Sequence, residues 1–76
     1  MKNEIDKIIR ERIRRNLIKC RMVHGFTQTE IGAFVGKSKN AVASWEQGLS
    51  IPDAVTLYKL STIYGMNVAD MFENIK

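Results

Sequence analysis

The sequence contains one cysteine, Cys20, and has neither a CxxC pair nor a cluster of cysteine and histidine. A lone cysteine cannot form a disulfide within the chain, and the sequence offers no ligand set for a structural metal. A chain of 76 residues buries only about 60% of the surface that it exposes when unfolded. We therefore expect one small domain without metal or cofactor, held together by apolar packing or self-association in a reducing cytoplasm.

Long apolar runs are also absent. The longest uncharged apolar stretch, IGAFVG at 31–36, is far shorter than a membrane span, and the first 15 residues are too charged for a secretory signal. These features predict a soluble, cytoplasmic protein with no membrane partner. The chain is too small for a deep enzymatic cleft, and no nucleophile, base and orienting group can be assembled from it. We expect no enzyme, and no small-molecule ligand is evident.

Positive charge is concentrated in the first third of the chain. Residues 1–24 carry eight Lys and Arg against three Asp and Glu, whereas residues 25–50 are neutral and residues 51–76 carry a net charge of −1. Such asymmetry permits a polyanion as partner. Arginines that only solvate one face of a long helix would give the same distribution, and charge alone favours that simpler interpretation.

The hydrophobic pattern predicts an amphipathic first helix that reaches to about Val23. Its apolar residues recur at three- and four-residue steps with charges between them: Ile5, Ile8, Ile9, Ile13, Leu17 and Cys20. A glycine at position 25 ends this helix. Thr27 and Glu30 form a capping box, which predicts the start of a second helix that Gly36 ends.

Three more helices are predicted, and no strand, linker or repeat. Ser38 is a suitable N-cap for a third helix ending at Gly48, and the turn at residues 50–53 leads into a fourth. Asn67 can cap a last short helix with the sequence VADMFE. The fold class is therefore all-α with five helices.

The third helix has two unlike faces. Val42 and Trp45 share one face, while the opposite face carries Lys39, Asn40, Ala43 and Ser44. Lys, Asn and Ser hydrogen-bond to base edges, and a small Ala allows close approach. Because a short second helix precedes it across a glycine turn, the pair is predicted to form a DNA-binding helix-turn-helix with the third helix reading bases.

The segment GFTQTEIGAFVGKSKNAVASWEQG, residues 25–48, resembles the core of the lambda-repressor/Cro-type (XRE) helix-turn-helix family. The similarity extends over residues 13–72, through Leu17, Cys20 and Arg21 in the first helix and residues 52–72 in the fourth and fifth. It implies a five-helix lambda-repressor-like domain over residues 13–76, with helices 2 and 3 as the helix-turn-helix. Residues 1–12 lie outside the pattern and are predicted to form a helical N-terminal extension.

The resemblance implies a role for each matching residue. Base reading falls to Lys39, Asn40, Ala43 and Ser44. The residues expected to bind DNA phosphates are Gln28, Lys37, Ser38, Gln47 and Ser50. The backbone amides from Gln47 to Ser50 are expected to hold one of these phosphates. Arg21 and Glu46 would form a structural ion pair. Three residues depart from the family's usual choice, Gly32 for alanine, Cys20 for leucine, and Lys37 for an apolar residue.

The predicted function is that of a sequence-specific regulator of transcription that binds double-stranded DNA. The resemblance implies a homodimer that represses by promoter occlusion, with apolar contacts from the C-terminal half: Tyr58, Met66, Met71 and Phe72. The alternative is a protein-interaction module, such as an antitoxin-like or anti-repressor partner, acting through residues 1–12. An enzyme or an RNA-binding factor is disfavoured by the absent catalytic set and the absent stacking aromatics.

Overall fold

The computed structural model describes residues 4–73 as four α-helices followed by a single 3-10 helix. The elements are α1 (Glu4–His24), α2 (Gln28–Val35), α3 (Lys39–Glu46), α4 (Ala54–Ile63) and the 3-10 helix (Val68–Phe72). Within residues 4–73 there is no strand. The predicted all-helical class is therefore correct for the described part of the chain.

The predicted fifth α-helix is a 3-10 helix instead. The backbone amide of Asp70 donates to the carbonyl of Asn67 at 3.0 Å, and that of Glu73 donates to Asp70 at 3.2 Å. These are i to i+3 bonds, and a five-residue segment is too short to sustain the i to i+4 ladder of an α-helix. Asn67 begins the segment as predicted, and its backbone amide donates to the carboxylate of Asp70 at 3.3 Å.

The predicted helix starts are present because they depend on local hydrogen bonds. The Thr27 hydroxyl accepts from the amide of Glu30 at 3.1 Å, while the Glu30 carboxylate accepts from the amide of Thr27 at 2.8 Å. Ser38 accepts from the amide of Ala41 at 3.1 Å, and the Asp53 carboxylate accepts from Thr56 at 2.8 Å. Each cap satisfies a donor that the first helical turn leaves without a partner.

The core lies where α1, α2, α3 and α4 meet the 3-10 helix. Its buried apolar residues are Ile13, Leu17, Ile31, Val35, Val42, Trp45, Leu57, Leu60, Tyr64 and Met71. Trp45 is therefore a core residue, as its position opposite Asn40 predicted. Met71 is fully buried, so the prediction that it contributes to a dimer surface is wrong. Cys20 packs against this core, and burial raises the pKa of its thiol.

A buried amide joins the two ends of the described chain. The side-chain nitrogen of Asn16 donates to the carbonyls of Met71 at 2.8 Å and Glu73 at 2.9 Å, and to that of Arg12 at 3.0 Å. Asn16 is only 8% exposed. It therefore holds the 3-10 helix against α1.

Helix α1 runs without a break across the predicted boundary between residues 12 and 13. Ile13 and Leu17 are buried, but Ile5 and Ile8 are exposed. The first turns of α1 therefore extend beyond the core, and the predicted apolar stripe packs against the core only from Ile9 onward. Residues 1–3 and 74–76 lie outside the described part of the chain, so the predicted extension is described only from Glu4.

Candidate nucleic-acid interface

Helices α2 and α3 are joined by a tight turn at residues 36–38. Gly36 adopts a left-handed conformation with φ of +73°, and the amide of Lys37 donates to the carbonyl of Gly32 at 2.8 Å. A Cβ at Gly32 would lie 2.6 Å from the carbonyl oxygen of Lys37. The turn thus passes directly over Gly32, and a glycine in place of the family's usual alanine fits this close approach.

We expect Gly32→Ala to lower the free energy of unfolding by about 1–2 kcal/mol. A Cβ only 2.6 Å from a backbone oxygen places the overpacking cost at the upper end of its usual range, about 2–3 kcal/mol, and the helix-propensity gain of about 1 kcal/mol offsets only part of it. Urea denaturation followed by circular dichroism measures the change. Thr29→Ala, an exposed substitution on the same helix, is the matched control. A Gly32→Ala protein more stable than the parent would contradict the close packing.

The outward face of α3 holds the four predicted base-reading residues. Lys39 and Asn40 are exposed, while Ala43 and Ser44 are half-buried. The Ser44 hydroxyl lies 2.7 Å from the hydroxyl of Ser50, which links α3 to the loop that follows it. The acidic residue of α3, Glu46, is buried and hydrogen-bonded to Arg21. The structure therefore brings the four residues together on one surface with no carboxylate of α3 among them.

Beside this face, Arg21 of α1 and Glu46 of α3 lie together as the family resemblance implied. Arg21 donates two hydrogen bonds to the carboxylate of Glu46, from Nε at 2.7 Å and from Nη2 at 3.0 Å. This hydrogen bonding raises the pKa of the Arg21 guanidinium. Arg21 also donates to the carbonyl of Phe26 at 3.0 Å. The pair thus holds α3 to both the last turn of α1 and the loop that leads into α2.

Gln28 belongs to the same hydrogen-bond network. Its side-chain nitrogen donates to Oε1 of Glu46 at 3.1 Å. This bond places the Gln28 amide at the N-terminus of α2 and braces it against α3. An amide nitrogen has two hydrogens, so one remains for a further acceptor. The family resemblance implied that Gln28 braces the third helix, and its bond to Glu46 supplies that contact.

Lys37 and Ser38 lie in the turn before α3. The Nζ of Lys37 is 3.6 Å from the carboxylate of Asp53, and both side chains are largely exposed. The hydrogen bond from the backbone amide of Thr56 lowers the pKa of the Asp53 carboxyl, and the nearby charge of Lys37 lowers it to a lesser extent. The Ser38 hydroxyl accepts from Ala41, so its own hydrogen remains available to an acceptor.

The predicted phosphate site made of backbone amides after α3 is wrong for three residues. The amide of Gln47 donates to Ala43 at 2.9 Å, that of Gly48 to Trp45 at 3.2 Å, and that of Leu49 to Ser44 at 3.0 Å. These bonds satisfy the last carbonyls of α3, so the amides cannot also bind an anion. The side chains of Gln47 and Ser50 remain on the surface, which leaves them as the parts of this segment that can contact a phosphate.

A group of basic residues beside this segment was not recognised from the sequence. Lys7, Arg10 and Arg14 of α1 border a recess together with Gln47 and Gly48. The charge asymmetry pointed to the first third of the chain, but it could not indicate which face of α1 meets the end of α3.

Two further properties bear on what the site can do. Among residues 4–73, no three His, Cys, Asp or Glu side chains are placed to hold a metal ion. No helix of the same segment is long and apolar enough to cross a membrane.

Comparison with known proteins agrees with this geometry. Residues 17–71 match the helix-turn-helix family. A 51-residue segment covering 67% of this chain is 37% identical to YonR of Bacillus subtilis strain 168, an SPbeta prophage-derived uncharacterized HTH-type transcriptional regulator. The match covers 47% of that protein, so the chain spans about half the length of this relative. No solved structure matches. From the extent of the family match, the chain belongs to the helix-turn-helix family, of the lambda-repressor/Cro (XRE) type.

Proposed function

We propose that this protein is a sequence-specific regulator of transcription that binds double-stranded DNA through α3. The observation that carries the proposal is the outward face of α3, where exposed Lys39 and Asn40 lie beside half-buried Ala43 and Ser44. An α-helix about 10–12 Å across fits a major groove about 12 Å wide. The buried Arg21–Glu46 pair holds this helix in a fixed orientation.

The chemistry of the two exposed residues suggests what they read. An asparagine amide can bond to N6 and N7 of adenine together, and a lysine can bond to O6 and N7 of guanine. We propose that Asn40 specifies an A·T pair and Lys39 a nearby G·C pair, with Ser44 contacting a neighbour. Gln28, Lys37 and Ser38 lie at the edge of this face, where they would bond to backbone phosphates and fix its position.

Repression by occlusion is the proposed mode of regulation. The similarity to an HTH-type transcriptional regulator of Bacillus subtilis supports a role in transcription. Occlusion requires only that the protein occupies DNA which the polymerase needs, so binding by α3 is sufficient for it. A reporter gene placed behind a DNA site selected from random duplexes tests this mode. Reporter expression must fall when the protein is present and recover for a variant that cannot bind the site.

We further propose that the DNA-bound form is a homodimer. One α3 contacts few base pairs, so two copies on half-sites about 34 Å apart would be needed for tight binding. Exposed Tyr58 and partly buried Met66 and Phe72 are the remaining apolar candidates for contact in the C-terminal half. Sedimentation with a palindromic duplex at saturation is expected to give two protein chains per duplex. A single chain per duplex at saturation would contradict the dimer.

A further inference from the structure

A basic recess lies between the first turns of α1 and the end of α3. Its walls are formed by Lys7, Arg10, Glu11, Arg14, Gln47 and Gly48. The α1 residues are three or four positions apart, so they lie on one face of the helix. Three of these residues, Lys7, Arg10 and Glu11, belong to residues 1–12, the segment outside the family pattern.

The four charged groups of the recess do not cancel one another. Arg14 donates to Glu11, with Nε 3.0 Å from Oε1, and this hydrogen bond lowers the pKa of the Glu11 carboxyl. Neither Lys7 nor Arg10 takes part in an ion pair within residues 4–73. Lys7 is exposed and Arg10 is half-buried. The recess therefore carries two positive charges without a carboxylate partner in the described chain.

The position of the recess relates these charges to the DNA-facing surface. Gln47 and Gly48 lie one helical turn beyond Ser44, at the end of the base-reading face. The Cδ of Arg14 is 3.3 Å from the place that a Gly48 Cβ would occupy, so α1 packs directly against this end of α3. Because the amides of residues 47–49 are used by α3, they are not available to an anion at this end, and the nearby cations of α1 are the charged groups that can bind one.

We propose that Lys7 and Arg10 bind a phosphate of the DNA backbone at the edge of the groove that α3 enters. The proposal rests on the proposed function, because the ligand is the phosphodiester of the same duplex. It assigns to the first turns of α1 a positive contact that adds affinity without reading sequence. The N-terminal segment then extends the DNA interface beyond the helix-turn-helix.

The test compares two double variants that remove the same charge from the same helix. The recess variant, Lys7→Gln/Arg10→Gln, removes the two positive charges that have no carboxylate partner. The control variant, Arg15→Gln/Lys19→Gln, removes two exposed charges from a different face of α1. Binding of the full chain to its preferred duplex is titrated by fluorescence anisotropy over a range of salt concentrations. Loss of a contact to one phosphate should weaken binding about five- to tenfold at low salt and reduce the slope of log K against log salt by about 1. The control should show a clearly smaller change in both.

The outcomes separate this proposal from the proposed function. If the parent protein binds and the recess variant binds every sequence more weakly by the same factor, the phosphate contact is supported. If the parent protein binds and the recess and control variants are weakened to the same extent, the phosphate contact of Lys7 and Arg10 is overturned. The assignment of base reading to α3 is then unaffected. A recess variant with a changed ranking of sequences overturns the assignment to phosphate, since a phosphate contact carries no base information. Parent protein that binds no duplex overturns both proposals.

Discussion

Glu46→Ala is expected to lower the free energy of unfolding by about 2–4 kcal/mol, because it removes the carboxylate that neutralises a largely buried guanidinium. Glu46 is 7% exposed and the Arg21 side chain 18% exposed, so water cannot replace the lost partner fully. The same substitution also removes the acceptor of Gln28. Urea denaturation followed by circular dichroism measures the loss.

The chain supplies a matched control for this prediction. Glu11 pairs with Arg14 within α1, but the two side chains are 51% and 32% exposed. Exposed pairs contribute about 0–1 kcal/mol, so Glu11→Ala should change stability far less than the same substitution at Glu46. An unchanged unfolding midpoint for Glu46→Ala, or an equal loss in the two variants, would contradict a structural role for the buried pair.

Features fixed by neighbouring residues could be predicted from the sequence. The capping box of Thr27 and Glu30 and the N-cap of Ser38 form hydrogen bonds within three residues of the chain, so their sequence patterns define them. Trp45 was placed in the core by helical spacing alone. The resemblance to a known family added Arg21 and Glu46, which are 25 positions apart and could not be paired from spacing.

Features that depend on distant parts of the chain could not be predicted in this way. Asn16 looks like an ordinary polar residue on α1, yet two of its acceptors lie 55 and 57 positions away. The amides after α3 seemed available for a phosphate because their use depends on how α3 ends. The position of Lys7 and Arg10 beside Gly48 likewise follows from the packing of α1 against α3, which no local pattern encodes.

Asn40→Ala is expected to weaken binding to the preferred duplex by about 1–3 kcal/mol and to remove discrimination at one base pair in each half-site. Asn40 is exposed and no hydrogen bond to another residue of 4–73 holds its side chain, so the substitution should leave the fold intact. Titration against duplexes changed at one base pair each measures both effects.

Gln28→Ala provides the contrasting variant. A phosphate contact carries no base information, so this variant should weaken all sequences by similar factors and keep their ranking. Gln28 also donates a hydrogen bond to Glu46, so the substitution can lower stability. The Gln28→Ala variant is therefore titrated well below its unfolding temperature. A changed ranking for Gln28→Ala would contradict its assignment to a phosphate.

The most direct test of base reading by α3 is a selection from random duplexes, carried out in parallel with the parent protein and with Asn40→Ala. The parent should enrich a two-fold symmetric sequence in which each half-site has a fixed A·T pair. The variant should enrich the same sequence with that one pair randomised and the other positions kept. Selection of the identical sequence by both proteins, or of no common sequence by the parent, would contradict the assignment of this face to DNA.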